Sequence, residues 1–141
     1  MFSKSCKYAL RAVLLLSTAQ DTSTKLGAKR ISEELEVPQP FLAKILQELS
    51  RKGVISSTKG LKGGFFLSDV DAKGNLYRVV EVIDGGGVFE NCTLGLPECG
   101  GENPCPLHHK IVNHRKALVD LFKKNTIADM ADMIKKGKFK I

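Results

Sequence analysis

Two short apolar stripes, split by Val37-Pro38 and followed by a glycine-tipped pair of β-prone runs, constrain this chain more than any other feature. Ala28, Ile31, Leu35 and Val37 share one side of a period of about 3.6 residues, while Lys29, Arg30, Glu33 and Glu34 turn outward, so an amphipathic helix is expected there. A residue that precedes proline is pushed out of helical geometry, which stops this helix at Val37. A second helix is expected from Gln39, with Pro40 tolerated in the first turn, where an N–H has no helical partner. Leu42, Ile45, Leu46 and Leu49 form its inward stripe, and Gly53 ends it as a cap glycine. Val54 to Thr58 and Gly64 to Leu67 read as two short strands joined by Lys59-Gly60-Leu61-Lys62-Gly63.

Helix, turn, helix and hairpin, in that order, are the parts of a winged helix-turn-helix. The outer face of the second helix carries Gln39, Ala43, Lys44, Gln47 and Arg51, mostly uncharged at its leading end and basic further on. That face suits entry into the major groove of DNA. Glutamine can pair two-pronged with adenine, lysine can reach guanine or phosphate, and the Ala43 methyl can meet a thymine methyl. At the hairpin tip Gly60 and Gly63 allow positive-φ turns and close backbone approach, while Lys59 and Lys62 supply charge for phosphates or the minor groove. The bland alternative is a helix pair and hairpin that merely close a small core, with a solvated lysine turn.

The charge distribution favours the nucleic-acid reading. Residues 1–68 hold 11 Lys/Arg against 5 Asp/Glu, residues 69–105 hold 2 against 7, and residues 106–141 hold 9 against 3. A basic reading part suits attraction to phosphate, and the acidic middle sets the cysteine-bearing segment apart. The chain's 141 residues, 43% of them hydrophobic, suit one compact domain or one domain with a dimerisation arm.

Lys4, Lys7 and Arg11 precede the apolar run Ala12 to Leu16, which is too short for the core of a secretory signal. Cys6 to Ala19 is instead expected to form a first helix packed into the winged domain, with Lys7, Tyr8 and Arg11 partly exposed. No segment approaches membrane-spanning length, so a cytoplasmic location is expected and the cysteines read as ligands or redox groups rather than a stapled framework. Ser68 to Lys73 reads as a polar connection, and Asn75 to Ile83 as a short helix with Leu76, Val79, Val80 and Ile83 inward.

Gly85 to Cys105 has little periodicity and carries six of the chain's 13 glycines. Ordering each backbone residue costs about 1–2 kcal/mol, so such a loop needs a cofactor or partner surface to hold it. It contains Cys92, Cys99 and Cys105, spaced Cys-x6-Cys-x5-Cys, with His108 three residues beyond the last. Thiolates are soft ligands for iron–sulfur clusters, zinc and cuprous ions, and zinc favours tighter spacings. The spacing therefore points to a larger cluster. The plainer reading is small loop residues or a reversible disulfide.

Pro106 to Lys124 is expected to be a helix near 28 Å long, at about 1.5 Å per residue, with Leu107, Ile111, Leu118, Val119 and Phe122 along one stripe and Lys110, Arg115 and Lys116 outside it. A helix that extends past a small domain needs a partner, and a two-fold dimer would match a palindromic operator. Thr126 is expected to cap a last helix through Ile134, and Lys135 to Ile141 reads as a mobile basic tail.

The string from Ala28 through Leu67, notably VPQPFLAKILQELSRKGVISSTKGLKGGFFL, together with the opening SCKYALRAVLLLS, resembles the Rrf2 family of bacterial transcription regulators over nearly the whole chain. The resemblance implies a mainly α fold with a small β wing: a winged helix-turn-helix over residues 1–84, a cluster loop over 85–105, and a dimerisation helix with its tail over 106–141. It further implies a homodimeric regulator, expected to be a repressor, that binds double-stranded DNA under control of an iron–sulfur cluster. Cluster-binding members carry three cysteines in this loop, some with a histidine just after, which here falls on Cys92, Cys99, Cys105 and His108. Some relatives draw a ligand from the partner's first helix, where this chain has Cys6 and Tyr8, although Cys6 reads first as a packing residue. Where members commonly present an arginine before the wing glycines this chain has Lys59, which keeps the charge and loses the planar fork.

Two rivals stand beside this reading: a cluster-free winged-helix regulator governed by thiol oxidation, a metabolite or a partner protein, and a small zinc or redox protein that ignores DNA. No nucleophile triad, phosphate-cradling loop or paired acid/base signature suggests an enzyme.

Overall fold

The computed structural model of the protein describes residues 1–19, 24–137, 139 and 141. In chain order it contains α1 (Lys4–Thr18), α2 (Ala28–Leu35), α3 (Gln39–Arg51), β1 (Ser56–Thr58), β2 (Gly64–Phe66), α4 (Asp69–Ala72), α5 (Leu76–Asp84), a 3₁₀ turn (Gly86–Phe89), α6 (His108–Lys124) and α7 (Ile127–Lys136). Among these described residues no helix is long and apolar enough to cross a membrane.

α1 is the hub, packed against α2, α3, α5 and α7. Ala9, Ala12 and Val13 are fully buried on it, and the small alanines let neighbouring helices approach closely. It starts at Lys4, earlier than the apolar pattern indicates, because the Ser3 hydroxyl accepts the Cys6 N–H at 3.0 Å and caps the first turn. Ile31 and Leu35 of α2 and Leu42, Ile45, Leu46 and Leu49 of α3 close the same core. Each such side chain is worth about 1.5–3 kcal/mol when buried.

The turn between α2 and α3 differs from expectation in its cause. α2 ends at Leu35, not at Val37, because Glu36 adopts a left-handed conformation with φ 55° and ψ 47°. The Val37 N–H then donates to the Ser32 carbonyl at 3.0 Å, closing a Schellman turn that swings Val37 into the core. α3 begins at Gln39 as expected and ends in a matching turn, with Gly53 at φ 73° and the Val54 N–H donating to the Leu49 carbonyl at 2.9 Å.

β1 and β2 pair antiparallel with Ser56 opposite Phe66 and Thr58 opposite Gly64. Leu26 bridges β2 from outside this pair, exchanging two backbone hydrogen bonds of 2.8 and 2.9 Å with Phe65. The Ser68 to Lys73 connection contains one helical turn, α4, held by a capping box in which Ser68 and Asp71 exchange side-chain and backbone bonds. Asp71 also accepts the Ser56 hydroxyl at 2.6 Å, which anchors the wing's base.

α6 starts at His108 rather than Pro106 and has 17 residues, so it is near 26 Å long at about 1.5 Å per residue. Thr126 caps α7 as expected, and the helix continues through Lys136, taking in the first part of the expected tail. Lys138 and Lys140 of that tail lie outside the described residues.

Candidate metal centre and nucleic-acid interface

The cysteine loop is pinned at both ends. At its entry Gly85, with φ 80°, breaks α5 and admits the 3₁₀ turn, so this part is more regular than its glycines suggest. Phe89 is buried there against Phe2, Tyr77 and Phe122, with ring centroids 5.3–5.7 Å apart. At its exit Cys105 is buried and its carbonyl accepts the His108 N–H at 3.0 Å, the last turn before α6.

Between these pins the backbone folds the sulfurs inward. The Gly95 N–H donates to the Cys92 carbonyl at 2.9 Å, and Gly100 and Asn103 bridge at 2.9 and 3.3 Å around Gly101 and Glu102. Gly100 has φ 139°, a conformation that favours glycine, and its Cα faces the His108 ring. The three Sγ atoms of Cys92, Cys99 and Cys105 lie within 4.8 Å of one another. Cys92 Sγ is 3.7 Å from Cys105 Sγ, Cys99 Sγ is 3.4 Å from His108 Nδ1, and the Cys105 N–H donates to Cys99 Sγ at 3.3 Å. Two thiolates on one tetrahedral ion with bonds of about 2.3 Å stand roughly 3.8 Å apart, so this donor set fits a soft metal centre.

The electrostatics follow from that packing. Backbone hydrogen bonds from Leu96, then Leu94, lower the Cys92 thiol to about 7 against the burial that opposes them. Cys99 is pushed up on balance: the Cys105 backbone hydrogen bond favours its thiolate, and burial with the neighbouring thiols outweighs it. One sulfur thus carries charge first and discourages the next, the pattern a cationic centre would relieve.

His108 and His109 are separated by the phase of α6. The half-buried His108 ring faces Cys99, while the exposed His109 meets its neighbour edge-on at 5.2 Å. Cys6 lies in the core with Val80 and Phe89, fully buried, and among the described residues it is not part of the sulfur group. Burial, and then the charge of Asp84, push its thiol up to about 12.

On the outer face of α3 Gln39, Lys44, Gln47 and Arg51 are exposed and Ala43 is half-buried. Lys59, Gly60 and Lys62 are exposed on the wing, and a Cβ on Gly63 would fall 2.3 Å from the Thr58 carbonyl oxygen. The Ser50 and Ser57 hydroxyls meet at 2.8 Å, tying the last turn of α3 to β1 and fixing the wing against the helix.

Sequence patterns missed three residues here. Leu61 stands fully exposed at the wing tip, the signal being an apolar residue among glycines and lysines. Phe41, 40% exposed on the first turn of α3, meets Tyr8 of α1 edge-on at 5.8 Å. Arg115, expected on the outer side of α6, is half-buried and turned back onto the cysteine loop, a contact no local pattern carries.

Comparison with known proteins completes the identification. The family model for Rrf2, described as an iron-dependent transcriptional regulator, matches residues 2–133. An HTH-type transcriptional regulator of Aquifex aeolicus is 34% identical over 143 residues, covering 100% of this chain and 98% of that protein. The HTH-type transcriptional repressor NsrR of Streptomyces coelicolor is 28% identical over 105 residues, covering 74% of this chain and 66% of that protein. Among solved structures, T. potens IscR superposes with a TM-score of 0.74 at 17% identity, covering 100% of this chain and 93% of that one. CymR of B. subtilis gives the same TM-score at 17% identity, covering 94% and 96%. With a winged helix-turn-helix in place and a family match that spans nearly all its length, the chain belongs to the Rrf2 family of DNA-binding transcription regulators, whose members are not enzymes.

Proposed function

We propose that this protein is a cytoplasmic, homodimeric regulator, and a repressor, whose grip on a palindromic operator is set by an iron–sulfur cluster in the 85–105 loop. Cys92, Cys99 and Cys105 would hold the cluster and His108 would supply the fourth ligand. One observation carries the reading: three sulfurs gathered within 4.8 Å in a loop that is largely exposed between its two pinned ends. When bound, the cluster supplies a centre sensitive to oxidation state and to loss of iron. The repressor role is supported by the S. coelicolor relative, itself named a transcriptional repressor.

The protein's own residues do the rest. Gln39, Ala43, Lys44, Gln47 and Arg51 meet bases and phosphates in the major groove, while the wing tip of Gly60, Leu61 and Gly63 approaches the minor groove and Lys59 and Lys62 meet the phosphates beside it. α6 favours a dimer, because among the described residues it has no fully buried side chain and leaves Leu121, with Leu107 just before its first turn, exposed. A two-fold axis there would set half-sites about 34–36 Å apart or a multiple of that. A coupling of about 1–3 kcal/mol between loop and reading helices would change DNA affinity roughly 5- to 150-fold.

Anaerobic purification with iron and sulfide quantification tests the proposal. Wild type should be coloured and hold both elements, and Cys92→Ala should lose them. A second reading, control by thiol oxidation, draws on the 3.7 Å between Cys92 and Cys105. Colourless protein that gains a Cys92–Cys105 disulfide and loses operator affinity on oxidation would replace the first reading with the second.

A further inference from the structure

The Arg115 guanidinium grips the cysteine loop on both sides of its first sulfur. Nη1 donates to the Glu90 carbonyl at 3.1 Å and Nη2 to the Thr93 hydroxyl at 2.9 Å. One acceptor lies two residues before Cys92 and the other immediately after it. Arg115 also lines, with Cys92, Ile111 and Leu118, the cleft between loop and helix.

Beyond the loop's own turn at Cys92 and Gly95, little else ties this stretch to the rest of the fold. Residues 93–98 are all exposed, and the nearest buried anchors are Phe89 at the entry and Cys105 at the exit. A planar fork that takes a carbonyl and a hydroxyl together fixes direction as well as distance, which a single ammonium cannot do. The same side chain springs from α6, whose Leu118, Val119 and Phe122 pack on the core while Leu121 stays exposed. Loop and helix thus share one rigid connection next to a sulfur.

We propose that Arg115 is the positioning residue of the thiolate centre: it holds Cys92 against α6 and thereby passes the state of the centre to the helix that carries the dimer contact. This rests on the cluster reading given above. Arg115 touches neither sulfur nor base, and acts through the Glu90 carbonyl and the Thr93 hydroxyl.

The test uses the full-length protein in two forms. In metal-free protein, hydrogen exchange of amides 90–96 should accelerate about tenfold in Arg115→Ala and about threefold in Thr93→Val, with Arg115→Lys between wild type and Arg115→Ala. Thr93→Val lies outside α6 and keeps the comparison valid should Arg115→Ala unfold. Adding it to Arg115→Ala should bring no further acceleration, since the two share one bond. In anaerobically reconstituted protein, the visible circular dichroism should change and release of iron to a chelator should quicken in the same order. Exchange within twofold of wild type in Thr93→Val and in whichever Arg115 variant folds would overturn the tether. A chain that takes up no iron and sulfide would overturn the cluster reading instead, because the exchange comparison needs neither.

Discussion

Arg11 of α1 donates from Nη2 to the Leu35 carbonyl, 3.1 Å away, at the C-terminal end of α2. A cation at a helix C-terminus meets carbonyls that lack helical partners, and this one sits where the chain turns toward α3. Arg11→Ala should therefore cost about 1.5–3 kcal/mol in urea denaturation, the range for hydrogen bonds to charged groups. Operator affinity should fall as well, as the hold on the α2–α3 turn loosens, and Arg11→Lys should recover part of both. A variant as stable as wild type would show the contact to be idle.

Glu36 offers the opposite sign. It is exposed and held at φ 55°, where an L-residue is strained by about 1–2 kcal/mol and glycine is not. Glu36→Gly should raise thermal stability by roughly 0.5–1 kcal/mol once glycine's larger unfolded-state entropy is set against the relief. A lower melting temperature would mean that the Glu36 side chain does something the turn geometry does not reveal.

The wing depends on two glycines for different reasons. A methyl on Gly63 would collide with the Thr58 and Lys59 backbone at 2.3–2.8 Å, whereas Gly60, at φ 101°, has open space and only conformational strain. Gly63→Ala should deform the hairpin at a cost of about 1–3 kcal/mol and abolish tight operator binding in a gel-shift titration. Gly60→Ala should weaken it less.

Lys59 and Lys62 should act on phosphate rather than on base identity. Replacing either by alanine should weaken binding to all duplexes alike and reduce the slope of log K against log salt by about 1. Replacing Gln39 or Gln47 should instead relax sequence preference with the slope unchanged. Operator selection from random DNA at two salt concentrations distinguishes the two behaviours.

Thiol chemistry should rank the cysteines in the metal-free protein. Cys92, lowered to about 7, should be half ionised at neutral pH, so its alkylation should level off above about pH 8. Cys6, pushed up to about 12, should resist alkylation until the protein unfolds. The sign for stability follows: a thiol whose folded value lies above the unfolded 9.0 stabilises the fold below that pH, and the contribution fades as pH rises from 9 toward 12. Cys6→Ala should flatten that alkaline limb, as measured by denaturation across the range.

The stripe Leu42, Ile45, Leu46 and Leu49, the stop at Gly53, and the cap at Thr126 were determined by the sequence alone, because periodicity and capping depend on residues within a few positions of one another. The donor chemistry of Cys92, Cys99 and Cys105 was equally legible, since thiolate softness belongs to the side chain. The capping box at Ser68 and Asp71 was also written there and passed for plain connection, because a single turn has no periodicity to display. The tertiary structure decided the rest: that the three sulfurs meet, that His108 and not His109 faces them, that Cys6 is locked in the core, and that Arg115 turns inward. Each depends on which distant backbone lies opposite a side chain, and a path closed by the Gly100 turn, the Phe89 anchor and the phase of α6 is set by packing among residues far apart in the chain.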